Sequence, residues 1–166
     1  ASGIVKILEF NSLSKSFNMA GARIGYLLGS PQFLKPLETL KSHLDYGVFS
    51  PIQKAASVAL TSDYQFLNKQ RAIYENRRNV FVEKLHELHW YVRKPDGGMF
   101  VWAKIPDMFT SFEFSLAALD HGVVVTPGHA FGTAGEGYVR IALVQEEAKL
   151  IEAANRLQPL IKKGGK

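Results

Sequence analysis

A short polar stretch directly after an apolar segment carries the residues most able to do chemistry. Residues 12–25 read SLSKSFNMAGARIG, so hydroxyl side chains flank Lys15, and Arg23 stands eight residues later beside two glycines. An uncharged lysine amine attacks aldehydes. The guanidinium fork of Arg23 matches a phosphate group, and the Ser12 hydroxyl adds a further donor.

The ligand that combines an aldehyde with a phosphate a few ångströms away is pyridoxal phosphate (PLP). The polar stretch follows a predicted strand, and open α/β sheets bind their ligands at strand ends. Taken alone, a lysine in a serine-rich turn is best explained as a solvated turn lysine, and Arg23 as the partner of a surface carboxylate. The residue types therefore indicate a PLP site only in combination.

The elements that must position these residues alternate between strands and helices. Apolar residues 4–10 predict a mostly buried strand, and residues 24–29 predict a second strand of the parallel type. Ser-Pro pairs predict helices that begin near Ser30 and Ser50 and run to about residues 43 and 60. A long helical pattern without Gly or Pro covers residues 63–89, and such a helix can connect two domains.

The pattern changes after this helix. Strands are predicted over 90–93 and 99–103, joined by a turn, with further strands over 123–125 and 137–144; helices are predicted over 111–121 and 146–161. These strands and helices, from residue 90 onwards, are predicted to form a compact α+β unit with its own core. The first 75 residues are less self-sufficient, because parallel strands need neighbouring strands that this stretch does not supply.

With these elements in place, residues 12–25 resemble the PLP-attachment signature of class I and II aminotransferases, which are fold type I PLP enzymes. The segment DYGVFSPIQ at 45–53 is similar to one in aminotransferases of the alanine and LL-diaminopimelate type. Residues 95–102 look like the hairpin that begins the family's small domain, and residues 122–132 with 138–142 look like its closing strands. The resemblance covers nearly the whole chain.

The resemblance implies an α/β fold. Residues 1–75 would be the C-terminal portion of the PLP-binding large domain, with a mainly parallel sheet. Residues 76–166 would be a long bridging helix and a small α+β C-terminal domain.

The resemblance also implies a PLP-dependent aminotransferase that moves an amino group between an α-amino acid and a 2-oxo acid. Lys15 would be the catalytic residue and would form a Schiff base with PLP, while Ser12 and Arg23 would anchor the phosphate. Arg140 matches the family's arginine for the substrate carboxylate. Its neighbours Val139 and Ile141 are apolar, so Arg140 should point to the opposite face of its strand.

One expected group is missing. The family has an Asp upstream of the lysine that keeps the ring nitrogen protonated, and residues 1–11 contain no Asp. We therefore expect the C-terminal part of an aminotransferase that is inactive as an isolated fragment and forms a homodimer when full length.

The positions of the arginines bear on the choice of substrate. No arginine lies between Arg23 and Arg71, which favours an amino acid with a neutral side chain, such as alanine, over aspartate. His129 could line the pocket, although a loop histidine that caps a turn is the favoured interpretation. Ser14 is expected to support the turn around Lys15.

Composition excludes several other classes. The chain of 166 residues has no cysteine, which excludes disulfides and thiolate metal sites and fits a reducing compartment. Its net charge of +5 is mild and divided between both parts, so no nucleic acid partner is expected. No apolar run approaches the roughly 20 residues of a membrane span. We expect a cytoplasmic protein without membrane or metal.

Two alternatives stay open at this point. The same fold hosts PLP lyases and synthases, and an aminotransferase-like domain can serve as the PLP-sensing part of a transcriptional regulator.

Overall fold

The computed structural model describes residues 7–162. Contacts divide the chain into two compact units, Ala1–Gln70 and Arg71–Lys166. Residues 4–6 of the first predicted strand, and residues 163–166, lie outside the described residues. None of the helices within 7–162 is long and apolar enough to cross a membrane.

The first unit begins with two paired strands. Strand β1 (Leu8–Ser12) leads into a single helical turn, α1 (Leu13–Ser16), and strand β2 (Gly25–Gly29) follows. The two strands pair antiparallel, with Leu8 opposite Gly29. The prediction of parallel-type strands is wrong for this pair, because the short connection between them holds no crossover helix of the length that a parallel connection requires.

Three helices complete this unit. They are α2 (Pro31–Leu44), α3 (Ser50–Thr61) and the first turns of α4 (Gln65–Glu87). Both predicted Ser-Pro starts are confirmed, since proline suits a first helical turn, where its missing N–H is not needed. Leu13 and Ala56 are the buried apolar residues among those described in this unit, whereas large side chains such as Phe10 and Leu44 are exposed.

The second unit contains the rest of α4 and a three-stranded antiparallel sheet. Its strands are β3 (Phe100–Lys104), β4 (Thr126–Pro127) and β5 (Tyr138–Ala142), with β5 in the centre. Helices α5 (Ser111–Asp120) and α6 (Glu147–Lys162) pack on the sheet. One continuous apolar core joins these elements, with fully buried members including Phe81, Val101, Phe114, Val139 and Leu157.

Two predicted strands are wrong. Residues 90–93 alternate between buried and exposed as a strand would, but the Trp90 N–H donates to the Leu85 carbonyl oxygen and closes α4. Residues 123–125 belong to no strand: the Val123 N–H donates to the Ala118 carbonyl oxygen at the end of α5, and strand pairing begins only at Thr126. In both places a helix end uses a backbone donor that a sheet would need.

Candidate active site

The chain turns sharply at the end of β1 and presents Lys15. Ser12 caps α1: its side-chain oxygen accepts a hydrogen bond from the Ser14 N–H at 3.2 Å. The Leu13 side chain is buried and anchors the turn, while the Lys15 side chain is exposed. Among the described residues no acceptor pairs with the Lys15 ammonium. The turn therefore offers a lysine amine without a protein partner.

The pairing of β1 with β2 brings Arg23 next to this turn. Ser12 is the strand partner of Gly25, and the Leu13 N–H donates to the Ile24 carbonyl oxygen at 3.3 Å. A Cβ atom built on Gly25 would stand 2.5 Å from the Asn11 carbonyl oxygen, so this close approach needs glycine. Gly25 is therefore required for the strand pairing that brings the backbone of Arg23 close to Ser12.

Arg23 itself has an uncommon backbone conformation. It lies in the left-handed region at φ 50° and ψ 48°, which costs free energy for a residue with a Cβ. One guanidinium nitrogen, Nη1, donates to the Ala20 carbonyl oxygen at 3.1 Å. The remaining N–H groups have no acceptor among the described residues. Arg23 is thereby oriented through one hydrogen bond and keeps most of its donors for a ligand.

The lysine turn is also attached to the start of α4. The rings of Phe17 and Phe66 stack at a centroid distance of 6.4 Å, and the Asn18 side-chain amide donates to Gln70 at 3.2 Å. Both partners belong to the first unit, so the lysine turn is held by contacts within that unit.

Arg140 occupies the central strand of the second unit. Val139 and Ile141 are buried in the core, and Arg140 projects from the other face of β5, half-buried, as predicted. On that face β3 contributes Phe100 and Trp102, since the register pairs Trp102 with Arg140.

Two aromatic rings enclose the Arg140 guanidinium. Its central carbon lies 4.3 Å from the Phe100 ring centroid and 4.5 Å from the Phe131 ring centroid. Trp102 packs edge-on against Phe131 and stacks on Tyr138. No carboxylate or carbonyl of the described residues accepts from the guanidinium. Cation–π contacts hold a planar cation in place while its N–H edge stays free for a carboxylate.

A hydrogen-bonded cluster lies at the start of α5. The Ser111 hydroxyl is fully buried; it donates to Glu136 Oε2 at 2.9 Å and lies 2.9 Å from His129 Nδ1. The Ser111 N–H donates to Glu136 Oε1 at 2.6 Å. These bonds, first from the backbone and then from the side chain of Ser111, with a further one from the Gly137 N–H, hold the pKa of Glu136 below its ordinary value. The favoured interpretation of His129 as a turn histidine agrees with this bond.

The structure thus groups the sequence-predicted residues in two sets. Ser12, Lys15 and Arg23 belong to the first unit, and Arg140 belongs to the second. Ser14 contributes a backbone N–H to the turn, as expected.

Sequence reasoning missed the aromatic rings around Arg140 and the cluster at Ser111. The alternation of Phe100 and Trp102 in a predicted strand was visible, but the register that places them beside Arg140 was not. Phe131 lies outside any regular strand. No sequence pattern identified Ser111 as the shared partner of His129 and Glu136.

Comparison with known proteins agrees with this fold. The family model of class I and II aminotransferases matches residues 1–157. The chain belongs to this family, whose members depend on PLP.

Its relatives include LL-diaminopimelate aminotransferases. The chain is 43% identical over 152 residues to LL-diaminopimelate aminotransferase 2 of Trichormus variabilis, covering 91% of this chain and 39% of that protein. It is 39% identical to the LL-diaminopimelate aminotransferase of Moorella thermoacetica, covering 94% of this chain and 40% of that protein. The chain therefore spans about two-fifths of the length of these relatives.

Solved structures match at similar coverage. Substrate-bound BacF from Bacillus subtilis superposes with a TM-score of 0.87 at 39% identity, over 92% of this chain and 40% of that one. An aromatic aminotransferase from Pyrococcus horikoshii superposes with a TM-score of 0.90 at 31% identity, over 98% of this chain and 45% of that one. The mixed α/β fold of this chain is thus that of aminotransferases.

The donors in the first unit fit PLP. An amine without a protein partner (Lys15), a hydroxyl (Ser12) and a guanidinium with free N–H groups (Arg23) are the types that an aldehyde and a phosphate require. The pairing of β1 with β2 sets Ser12 opposite Gly25, so the backbone of Arg23 approaches the turn that carries Lys15.

Proposed function

We propose that the protein to which this chain belongs is a PLP-dependent aminotransferase that moves an amino group between an α-amino acid and a 2-oxo acid. The observation that supports the proposal is the pairing of β1 with β2. Ser12 lies opposite Gly25 and the Leu13 N–H donates to the Ile24 carbonyl oxygen, so the backbone of Arg23 approaches the turn that carries Lys15. When bound, PLP supplies an aldehyde that condenses with amines and a ring that accepts electrons from the substrate Cα.

Lys15 has two tasks in this proposal. Its amine would hold the cofactor through the aldehyde. On its short helical turn the same amine, when free, would take a proton from the substrate Cα and later give it back. The absence of a protein partner for the ammonium, among the described residues, leaves it available for both.

Ser12 and Arg23 orient the cofactor through its phosphate. A guanidinium binds two phosphate oxygens at once, which fixes direction as well as position. The Ser12 side-chain oxygen already accepts from Ser14, so its own hydrogen is available for donation. A phosphate held by both groups keeps the ring in a constant geometry relative to Lys15.

Arg140 binds the substrate carboxylate. Its guanidinium is held between Phe100 and Phe131, so little side-chain freedom is lost when a carboxylate binds. The names of the relatives make LL-diaminopimelate a first amino acid to assay, next to alanine. Arg140 recognises the carboxylate group, which the amino acid and the 2-oxo acid have in common.

The proposal also covers the domain organisation of the protein. Residues 1–75 belong to the PLP-binding large domain, and residues 76–166 form the bridging helix and small domain. The exposed apolar side chains of the first unit, Phe10, Leu28 and Phe49 among them, support this, because a large domain would cover them. A homodimer and a cytoplasmic location are parts of the same proposal, and the lack of cysteine is consistent with the second.

Covalent trapping tests the proposal. The chain is incubated with PLP, reduced with borohydride and digested, and peptide mass spectrometry then locates the phosphopyridoxyl group. We expect labelling at Lys15 at PLP concentrations that leave other lysines unlabelled.

Lys69→Ala is the matched control, because Lys69 is an exposed lysine of the same unit without a hydrogen bond or ion pair to any described residue. Lys15→Ala should remove the specific label, and Lys69→Ala should retain it. Equal labelling of all surface lysines would contradict the assignment of Lys15.

A further inference from the structure

The ring of Phe131 is positioned over Arg140 from outside the hydrophobic core. Phe131 lies in the turn Gly128–Phe131 and remains 51% exposed, so burial does not fix its place. Its ring nevertheless lies 4.5 Å from the Arg140 guanidinium carbon. Besides the ring contacts of Phe131 with Trp102 and Arg140, this turn is held by interactions outside the core.

The loop that carries Phe131 is closed at its two ends. Gly128 and Gly135 meet backbone to backbone, and Glu136 directly follows the second glycine. Inside the loop, Gly132 adopts a φ of 114° and donates its N–H to the His129 carbonyl oxygen. Residues 128–135 thus form a compact loop with neighbouring ends.

Both ends of this loop are bonded to one buried residue, Ser111. On one side, the His129 N–H donates to Ser111 Oγ at 3.3 Å, and His129 Nδ1 lies 2.9 Å from the same oxygen. On the other side, the carboxylate of Glu136 accepts from the N–H and the hydroxyl of Ser111.

The donors and acceptors are consistent with one another. The hydroxyl of Ser111 gives its single hydrogen to Glu136, so its oxygen accepts from His129, which then carries a hydrogen on Nδ1. The Ser111 hydroxyl is fully buried, and a buried polar group that loses its partner is costly.

We propose that Ser111, His129 and Glu136 are positioning residues that hold Phe131 over the Arg140 guanidinium and thereby set its affinity for carboxylates. The three side chains act through the loop and do not touch the substrate. The affinity part of this inference rests on the carboxylate-binding role proposed above for Arg140, whereas the placement of Phe131 does not depend on it.

NMR of the whole chain tests the placement directly. Nuclear Overhauser effects between the Phe131 ring and the Arg140 side chain, with the ring-current shift of the Arg140 Nε–H, report the stacked arrangement. Titration with sodium acetate against sodium chloride at equal ionic strength, followed at the same Nε–H, reports carboxylate affinity.

Ser111→Ala removes the shared hydroxyl. We expect loss of the Phe131–Arg140 Overhauser effects and an acetate dissociation constant raised about fivefold to tenfold, as for the loss of a buried hydrogen bond. Ser115→Ala is the matched control: Ser115 lies on the same helix, and its hydroxyl donates only to the Ser111 carbonyl oxygen within that helix. This control should retain both signals.

Glu136→Gln is a second variant in case Ser111→Ala does not fold. The Gln amide can accept from the Ser111 hydroxyl only if its N–H₂ group faces the Ser111 N–H. In the reverse orientation the N–H₂ group points at a hydroxyl oxygen that already accepts from two N–H groups, so the loop should detach while the core persists. Lowering the pH in the wild type should weaken the same Overhauser effects as Glu136 becomes protonated. His129 and Glu113 are the other ionisable side chains nearby.

The outcomes separate the two proposals. Unchanged Overhauser effects in folded Ser111→Ala or Glu136→Gln would overturn the positioning role. If acetate fails to shift the wild-type Nε–H while the variants still lose the Overhauser effects, the positioning role stands, and the carboxylate role of Arg140, with the affinity part of this inference, is wrong.

Discussion

Gly128 and Gly135 lie so close together that a Cβ atom built on either would stand 2.0 Å from the carbonyl oxygen of the other. The contact is between backbone atoms on both sides, so no flexible side chain can move to relieve it. This contact brings together the ends of the loop that places Phe131 over Arg140.

Gly128→Ala should destabilise the second unit. The added methyl group collides with backbone, and overpacking of this kind costs about 1 to 3 kcal/mol or more in the free energy of unfolding. Urea unfolding followed by tryptophan fluorescence measures it, because Trp90 and Trp102 both belong to this unit.

Gly97→Ala is the control for this substitution, since a Cβ there meets nothing within 4 Å. Its free energy of unfolding should stay within about 0.5 kcal/mol of the wild type. Equal stability of both variants would show that the loop ends do not meet in solution.

Arg140→Lys should weaken substrate binding more than turnover. An ammonium carries the same charge but cannot reproduce the planar, two-point contact with a carboxylate, nor the same stacking between Phe100 and Phe131. In steady-state transamination by the full-length protein, the activity proposed above, we expect KM for the amino acid to rise about tenfold or more.

Arg156→Lys serves as the comparison. Arg156 is an arginine of α6 that pairs with Glu152 on the surface, and its replacement should leave KM unchanged. An unaltered KM in Arg140→Lys would exclude the carboxylate-binding role.

Glu136 should make the second unit sensitive to acid. Hydrogen bonds from Ser111 and from the Gly137 N–H lower the pKa of this glutamate in the folded chain. Its contribution to stability is therefore complete above its unfolded pKa and is lost as the pH falls through the lower folded pKa. The free energy of unfolding should decline from about pH 5 downwards.

The same titration in Glu136→Gln isolates this residue, because its slope against pH should be smaller than that of the wild type. The pKa values of Glu113 and Glu147 are also lowered, and both remain in the variant, so part of the slope persists. Glu83→Gln changes an exposed glutamate of α4 and should keep the wild-type slope. Parallel curves for wild type and Glu136→Gln would contradict the assignment.

Arg78 should be a stabilising residue of the long helix. Its side chain is 11% exposed, and Nη1 donates to the carbonyl oxygens of Pro95 and Asp96 at 3.1 and 3.2 Å, which ties the turn before β3 to α4. Arg78→Ala leaves these carbonyl groups without their donor and should cost about 2 kcal/mol or more in urea unfolding.

Arg93→Ala is the matched arginine substitution. Arg93 is 90% exposed and approaches Asp96 only at 3.9 Å, so its loss should change the free energy of unfolding by less than about 0.5 kcal/mol. A similar effect of both substitutions would argue against the anchoring role of Arg78.

The amino-acid sequence by itself determined the chemistry of the first unit. Ser12, Lys15 and Arg23 lie within one short stretch, and local rules set their arrangement: a serine cap, a single helical turn and a glycine where two backbones approach. The helix starts at Ser-Pro pairs were predictable for the same reason, because proline acts on its own backbone and its nearest neighbours. Arg140 could be placed on the outer face of its strand from the alternation of its neighbours alone.

Only the tertiary structure decided what surrounds Arg140. Phe100 stands beside it because of the register between β3 and β5, and Phe131 because a loop folds back onto Ser111. The antiparallel pairing of β1 with β2, and the use of the Trp90 and Val123 N–H groups by helix ends, were also decided at this level. These features depend on which backbone N–H groups and carbonyl oxygens, distant in sequence, form hydrogen bonds with each other. Residue type and spacing along the chain do not specify this pairing directly.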